Sequence, residues 1–189
     1  MNTQRLIPLL LILAMAVVSC GPKGPPKPGG LTIGDDAYPY HLRDSAGNKM
    51  SLDDVKPGWS LLMIFYRGHW CEACRNQLLD LKTVVDQFTQ MHVAIACISV
   101  EDRETSADFS NTWKFPFPLL SDTSLEVIDA YGFRHVKGNE DKDISKPGVI
   151  IVNPKKKVVF KQMGHSPIDL PSNQDLLDWF RQHPFAVQQ

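Results

Sequence analysis

The sequence predicts an α/β domain: a central mixed sheet flanked by helices, with a β-hairpin added on its N-terminal side. Three observations predict it. Ser60 to Tyr66 (SLLMIFY), Val93 to Val100 (VAIACISV) and Gly148 to Val152 (GVIIV) are continuous apolar runs of strand length, as expected of strands buried on both faces. Segments with helical spacing of apolar residues separate the first two runs and follow them. The resulting order, ββ then β-α-β-α-α then ββ-α, predicts a mostly parallel centre and an antiparallel edge.

The elements follow in order. Ala37 to Leu42 and Lys49 to Leu52 flank the turn-rich Asp44-Ser45-Ala46-Gly47-Asn48, which reads as a hairpin. Ser60 to Tyr66 is the central strand. Glu72 to Gln90 is a helix, because Leu78, Leu81, Val84, Val85 and Phe88 line one face. Val93 to Val100 is the second buried strand, and Thr105 to Trp113 a short helix. Phe115-Pro116-Phe117-Pro118 is a rigid loop before Leu119-Leu120. Ser124 to Tyr131 is another helix, with Gly132 placed to end it. Gly148 to Val152 is a strand that turns through Asn153-Pro154-Lys155-Lys156 and pairs with Lys157 to Met163. Ser172 caps a last helix to about Gln182, with Asp175 as the capping-box acid.

Composition narrows the function. The chain has 189 residues, 43% apolar and 22% charged, enough for one globular domain with a real core. Twenty basic and 21 acidic residues give a net charge of −1. No basic block interleaves with aromatics, so nucleic acid is not an expected partner. No apolar run reaches the length of a membrane-spanning helix of about 18 residues or more. The cysteines stand at 20, 71, 74 and 97, too few for a disulfide-stapled scaffold.

The N-terminus reads as an address and a tether. Arg5 precedes Leu6 to Val18, an uncharged 13-residue run suited to a signal-peptide core. The run ends in Val17-Val18-Ser19-Cys20, which resembles the lipobox of bacterial lipoproteins. The resemblance implies cleavage before Cys20, lipidation of Cys20, and attachment to a bacterial membrane outside the cytoplasm. Gly21 after it resembles outer-membrane sorting. Gly21 to Gly30 (GPKGPPKPGG) is a proline- and glycine-rich spacer. The expected organisation is a signal peptide over 1–19, the anchor cysteine and linker over 20–30, and the domain over 31–189.

The chemistry is carried by Phe65-Tyr66-Arg67-Gly68-His69-Trp70-Cys71-Glu72-Ala73-Cys74-Arg75. A buried strand ends, a short loop follows, and Cys-x-x-Cys opens a long helix. A thiolate at a helix N-terminus meets free N–H groups and the positive end of the helix dipole. Its pKa then falls below the roughly 8.5 of a free thiol. Cys71 is expected as the exposed nucleophile, and Cys74, one turn on and deeper, as the resolving thiol. Arg67, His69 and Arg75 add positive charge, and Glu72 opposes it. Half a zinc site is the competing reading of the motif, but Cys97 lies in an apolar strand and the histidines at 41, 69, 92, 135, 165 and 183 show no paired spacing. No metal or other cofactor is expected.

The order strand, Trp-Cys-x-x-Cys, helix resembles the thioredoxin fold. Phe65 to Leu78 resembles the peroxiredoxin-like branch of the alkyl hydroperoxide reductase and thiol-specific antioxidant family. The likeness continues through Pro118-Leu119-Leu120-Ser121-Asp122, Tyr131-Gly132 and Lys146-Pro147-Gly148-Val149-Ile150-Ile151-Val152-Asn153. It implies antioxidant activity on a peroxide or disulfide, with an external dithiol as reductant. It also implies that Pro147 is a cis-proline facing the cysteines and lining a substrate groove. Two positions depart from the family pattern. Cys71 stands where peroxiredoxins carry threonine, and Lys146-Pro147 stand near the place of their peroxide-polarising arginine. Arg67 or Arg134 would have to take that part. The Cys-Glu-x-Cys form also resembles the membrane-anchored reducing thioredoxins of cytochrome c maturation. With His135 near the pair, the site would instead resemble copper chaperones of cytochrome oxidase assembly.

Four further residues have readings of their own. His69 would exchange a proton with Cys71, or simply be solvated. Trp70 would shape the groove or cover the helix start. Tyr66 and Cys97 read as core.

Overall fold

The computed structural model describes residues 29–184. The signal segment, Cys20 and the linker up to residue 28 lie outside the described residues. The strands are β1 (His41–Asp44), β2 (Lys49–Ser51), β3 (Ser60–Phe65), β4 (Val93–Ser99), β5 (Leu119–Ser121), β6 (Arg134–Asn139), β7 (Lys142–Ser145), β8 (Gly148–Val152) and β9 (Val158–Met163). The helices are α1 (Glu72–Gln90), α2 (Arg103–Trp113), α3 (Glu126–Ala130) and α4 (Asn173–Gln182). Among the described residues, seven strands form one sheet in the order β2-β1-β5-β4-β3-β8-β9, and β6 pairs with β7 in a separate hairpin.

β5, β4 and β3 run parallel, with Ile64 beside Cys97 and Cys97 beside Leu119. Antiparallel pairs close the sheet on both sides, β1 on β5 and β8 on β3. The sequence predicts an antiparallel edge on one side of a parallel centre. The second antiparallel side arises because Leu119–Ser121 is itself a strand, and it brings the N-terminal hairpin into the main sheet.

The continuous apolar runs have a simple cause. Leu62 and Ile64 of β3, Ile95 and Cys97 of β4, and Val149 and Ile151 of β8 join the core beneath α1 and α4. Leu61, Met63 and Phe65, Ala96 and Ile98, and Ile150 and Val152 join the core beneath α3. Each strand therefore alternates between two apolar layers and has no wet face. Phe88 of α1 meets Phe180 of α4 edge to face at 5.9 Å, which fixes the two helices side by side.

The helix starts follow their caps. Ser172 and Asp175 form the capping box predicted for α4. The Asp102 side chain accepts from Thr105 N–H at the head of α2. Gly132 ends α3 at φ +75°, and a Cβ there would lie 2.3 Å from Gly29 O. This close approach seats the start of the domain against α3, and Leu31 N–H donates to Ala130 O at 2.8 Å.

Candidate functional site

β3 ends at Phe65, and Arg67 to Trp70 carry the chain to α1. Cys71 N–H donates to Gly68 O at 3.1 Å, closing a tight turn that delivers Cys71 to the N-cap position. Cys74 N–H then donates to the Cys71 sulfur at 3.3 Å. The thiol thus fills the capping role usually taken by an oxygen. Both cysteines are free thiols. Cys71 is 6% exposed and Cys74 1%. The sequence predicts an exposed nucleophile. It is buried instead because the first turn of α1 lies against the inner layer, where both sulfurs join the core of α1 and α4.

The two thiols are poised differently. The Cys74 thiol donates to the Cys71 sulfur, which brings Cys71 down to about 6 against the opposing effect of burial. The Cys74 and Ala73 N–H groups and the Arg67 guanidinium support the same shift. The same sulfur–sulfur hydrogen bond, together with burial, pushes Cys74 well above the ordinary thiol range. One sulfur is a thiolate at neutral pH, and its neighbour is a protonated thiol.

Arg67 supplies the nearby cation. Its guanidinium lies 4.8 Å from the Trp70 ring centre, and its Nη2 donates to Gly138 O at 3.4 Å. Its buried Nε has no hydrogen-bond partner, and among the described residues no carboxylate lies within ion-pair distance. Arg134, the other candidate, is committed elsewhere. It donates to Asp129 at 2.6 Å through Nε and to Asp143 at 2.9 Å through Nη1. Arg67 is therefore the arginine that faces the thiolate.

The other predicted site residues divide. Trp70 is 39% exposed and stands under Arg67 beside the cysteines. His69 turns to Glu101: its N–H donates to both carboxylate oxygens at 2.9 and 3.0 Å, and its Nδ1 meets Glu101 Oε1. Every described peptide bond is trans, including the one before Pro147. Trans is the default for X–Pro by about 0.5–1 kcal/mol, and the segment leaving β7 is held by Lys146 N–H on Phe133 O and by Gly164 N–H on Pro147 O. His135 lies exposed on β6. Its ring packs over Gly138, where an added Cβ would come within 2.7 Å of it. Among the described residues no three histidine, cysteine or acidic side chains are grouped as metal ligands. The copper-chaperone reading thus lacks its third ligand. Tyr66 and Cys97 are fully buried core residues, and burial pushes the Cys97 thiol up.

Two features escape sequence reading. The β6–β7 hairpin walls a cavity of about 400 Å³ whose other side is Arg67, His69, Trp70 and Glu101. Glu101 itself gives no signal beyond a lone acid after an apolar strand.

A cysteine pair at the head of a helix, on the end of a central parallel strand of a mixed sheet, defines the class: a thioredoxin-like fold with its cysteine motif in place. The chain belongs to the AhpC/TSA family, whose model matches residues 33–161. A Mycobacterium tuberculosis relative that carries the peroxiredoxin name is 34% identical over 102 residues, 54% of this chain and 64% of that protein. The thiol-disulfide oxidoreductase ResA of Bacillus subtilis is 29% identical over 131 residues, 68% of this chain and 66% of its own. The chain thus spans about two thirds of the length of these relatives. Among solved structures, peroxidoxin BcpB of Mycobacterium tuberculosis superposes with a TM-score of 0.70 at 18% identity, covering 84% of this chain and 99% of that one. Peroxiredoxin 6 of Arenicola marina, as a C45S mutant, superposes at 0.76 with 14% identity, covering 85% and 76%. These likenesses establish the fold.

Proposed function

We propose that the domain is a thiol-based peroxidase of the peroxiredoxin kind, with Cys71 as the attacking and Cys74 as the resolving cysteine. The observation that carries it is the split between the two thiols, one held near 6 and its neighbour kept protonated. The Cys71 thiolate attacks the distal oxygen of a hydroperoxide. The O–O bond breaks, the hydroxyl passes to sulfur as a sulfenic acid, and the departing alkoxide takes a proton to leave as an alcohol. Arg67 offsets the negative charge at the start and on the leaving oxygen. Cys74 then attacks the sulfenic sulfur. Its proton and the hydroxyl leave as water, and the Cys71–Cys74 disulfide forms. An external dithiol reduces it by exchange and is itself oxidised.

A second reading is a protein disulfide reductase, in which Cys71 attacks a disulfide and expels a thiolate. It is favoured by Cys71 itself, which stands where peroxiredoxins carry threonine, and by the relative ResA. Two assays on the same preparation decide. With dithiothreitol as reductant, hydrogen peroxide consumption is expected to exceed that of dithiothreitol alone by orders of magnitude, while reduction of insulin disulfides gains little. The reverse pattern would make the protein a disulfide reductase.

The signal segment and Cys20 support a lipid-anchored protein on the outer side of a bacterial cytoplasmic membrane or the periplasmic side of an outer membrane. Labelled palmitate is expected to be incorporated into the full chain in a bacterial host and to be lost in Cys20→Ser. Incorporation that survives this change would place the anchor elsewhere.

A further inference from the structure

Glu101 directly follows β4 and precedes Asp102, the N-cap of α2. Its backbone is held on both sides, with its own N–H donating to Ser99 Oγ at 3.3 Å. Its side chain turns inward and is only 9% exposed. A carboxylate so covered has a large desolvation cost unless donors meet it. They do: His69 N–H reaches both oxygens at 2.9 and 3.0 Å, and His69 Nδ1 meets Oε1. Against a carboxylate, Nδ1 is the protonated nitrogen of the ring.

These contacts fall on the turn that delivers the nucleophile. The next residue back, Gly68, is packed onto Glu101 and Trp70: a Cβ there would lie 2.9 Å from Glu101 Oε1 and 2.6 Å from Trp70 Nε1. Gly68 O is the acceptor for Cys71 N–H. Arg67 immediately precedes this glycine and stacks on Trp70. One carboxylate thus holds the middle of a turn whose two ends are the cation and the thiol.

We propose that Glu101 is a positioning residue for the reactive thiol: by clamping the turn from Gly68 to Cys71, it keeps Arg67 and the head of α1 aimed at the Cys71 sulfur. The proposal rests on Cys71 as the nucleophile. Glu101 acts through geometry and against its own charge, since a negative group near a thiolate disfavours it. That opposition makes the sign of its effect diagnostic. The other charges around it are Arg67, Asp102 and, from the β6–β7 hairpin, Glu140, Lys142 and Asp143. Arg75 and Asp108 flank His69 on its other side, and Glu72 follows Cys71. All of these stay in place in the variants below.

The test is alkylation of the reduced full-length protein by iodoacetamide across pH, with the modified cysteine located by peptide mass spectrometry and folding followed by a thermal melt. Glu101→Ala is expected to raise the midpoint of Cys71 alkylation by about one unit and to slow alkylation at pH 6 several-fold. Glu101→Gln keeps a carbonyl for His69 N–H and should restore most of the midpoint. Glu101→Asp keeps the charge but loses the reach and should behave like Glu101→Ala, so the comparison survives if the alanine variant does not fold. A midpoint that falls in Glu101→Gln and holds in Glu101→Asp would show that only the charge matters, and would overturn the proposal. So would a midpoint unchanged in all folded variants. Alkylation at Cys74 in the unaltered protein would overturn the assignment of the nucleophile, and this proposal with it.

Discussion

Replacing Cys71 by serine is expected to abolish peroxide consumption, a loss of about three orders of magnitude or more. A serine hydroxyl stays protonated at any pH the fold survives, and nothing near the site offers a second thiolate. Cys74 cannot substitute, because burial keeps it a protonated thiol. With its partner gone, it also loses the hydrogen bond to the Cys71 sulfur. Cys74→Ser should behave differently. It removes the thiol that donates to Cys71, so the midpoint of Cys71 moves up from about 6. The protein still consumes one equivalent of peroxide and then stops, since no neighbour can form the disulfide. Peroxide consumption measured over one and over many turnovers separates the two variants.

Arg67→Ala carries the next largest effect, about 10- to 100-fold on the rate with peroxide near pH 6. Arg67 is the cation that favours the Cys71 thiolate, and Arg134 is held by Asp129 and Asp143. A cation lowers a thiol pKa, so its removal raises the Cys71 midpoint, by about one unit for a partly buried neighbour. The sign fixes the pH dependence. The deficit is widest between the two midpoints, where the parent is ionised and the variant is not. It narrows above about pH 8, where both are thiolates. Whatever deficit remains there measures the stabilisation of the leaving oxygen. Arg67→Lys should recover part of the charge effect without the flat stacking on Trp70. A rate profile that shifts in level but not in midpoint would remove Arg67 from the ionisation of Cys71.

The fold was legible where a segment declares itself through its own pattern. Glu72–Gln90 repeats its apolar residues at helical spacing, and Ser172 with Asp175 marks the start of α4. The runs at β3, β4 and β8 are apolar on both faces because both faces are covered. What escaped has no local pattern. Leu119–Ser121 is three residues long and is a strand only because β1 and β4 lie on either side. Arg134–Asn139 and Lys142–Ser145 hold one buried apolar residue, Ile144, and form a hairpin through their pairing and the Arg134–Asp143 ion pair.

The site divides in the same way. Its cysteines, Arg67 and Trp70 sit within one continuous motif and were found. Glu101 lies 32 positions from His69 and is joined to it only by the fold. The burial of Cys71 follows from the docking of α1 on the sheet, which no spacing along the chain reveals. Pro147 is buried at the entry to β8 with a trans peptide bond, so the cis geometry implied by family likeness does not carry over.

The order of attack is the centre of this account, and one trapping experiment reads it directly. Reduced Cys74→Ser and reduced Cys71→Ser would each receive one equivalent of hydrogen peroxide in the presence of dimedone, which captures sulfenic acids. Peptide mass spectrometry would then locate the adduct. The account predicts rapid, near-complete modification of Cys71 in Cys74→Ser and almost none of Cys74 in Cys71→Ser. Rapid modification of Cys74 in Cys71→Ser, with Cys71 left untouched in the other variant, would contradict it and reverse the roles of the two thiols.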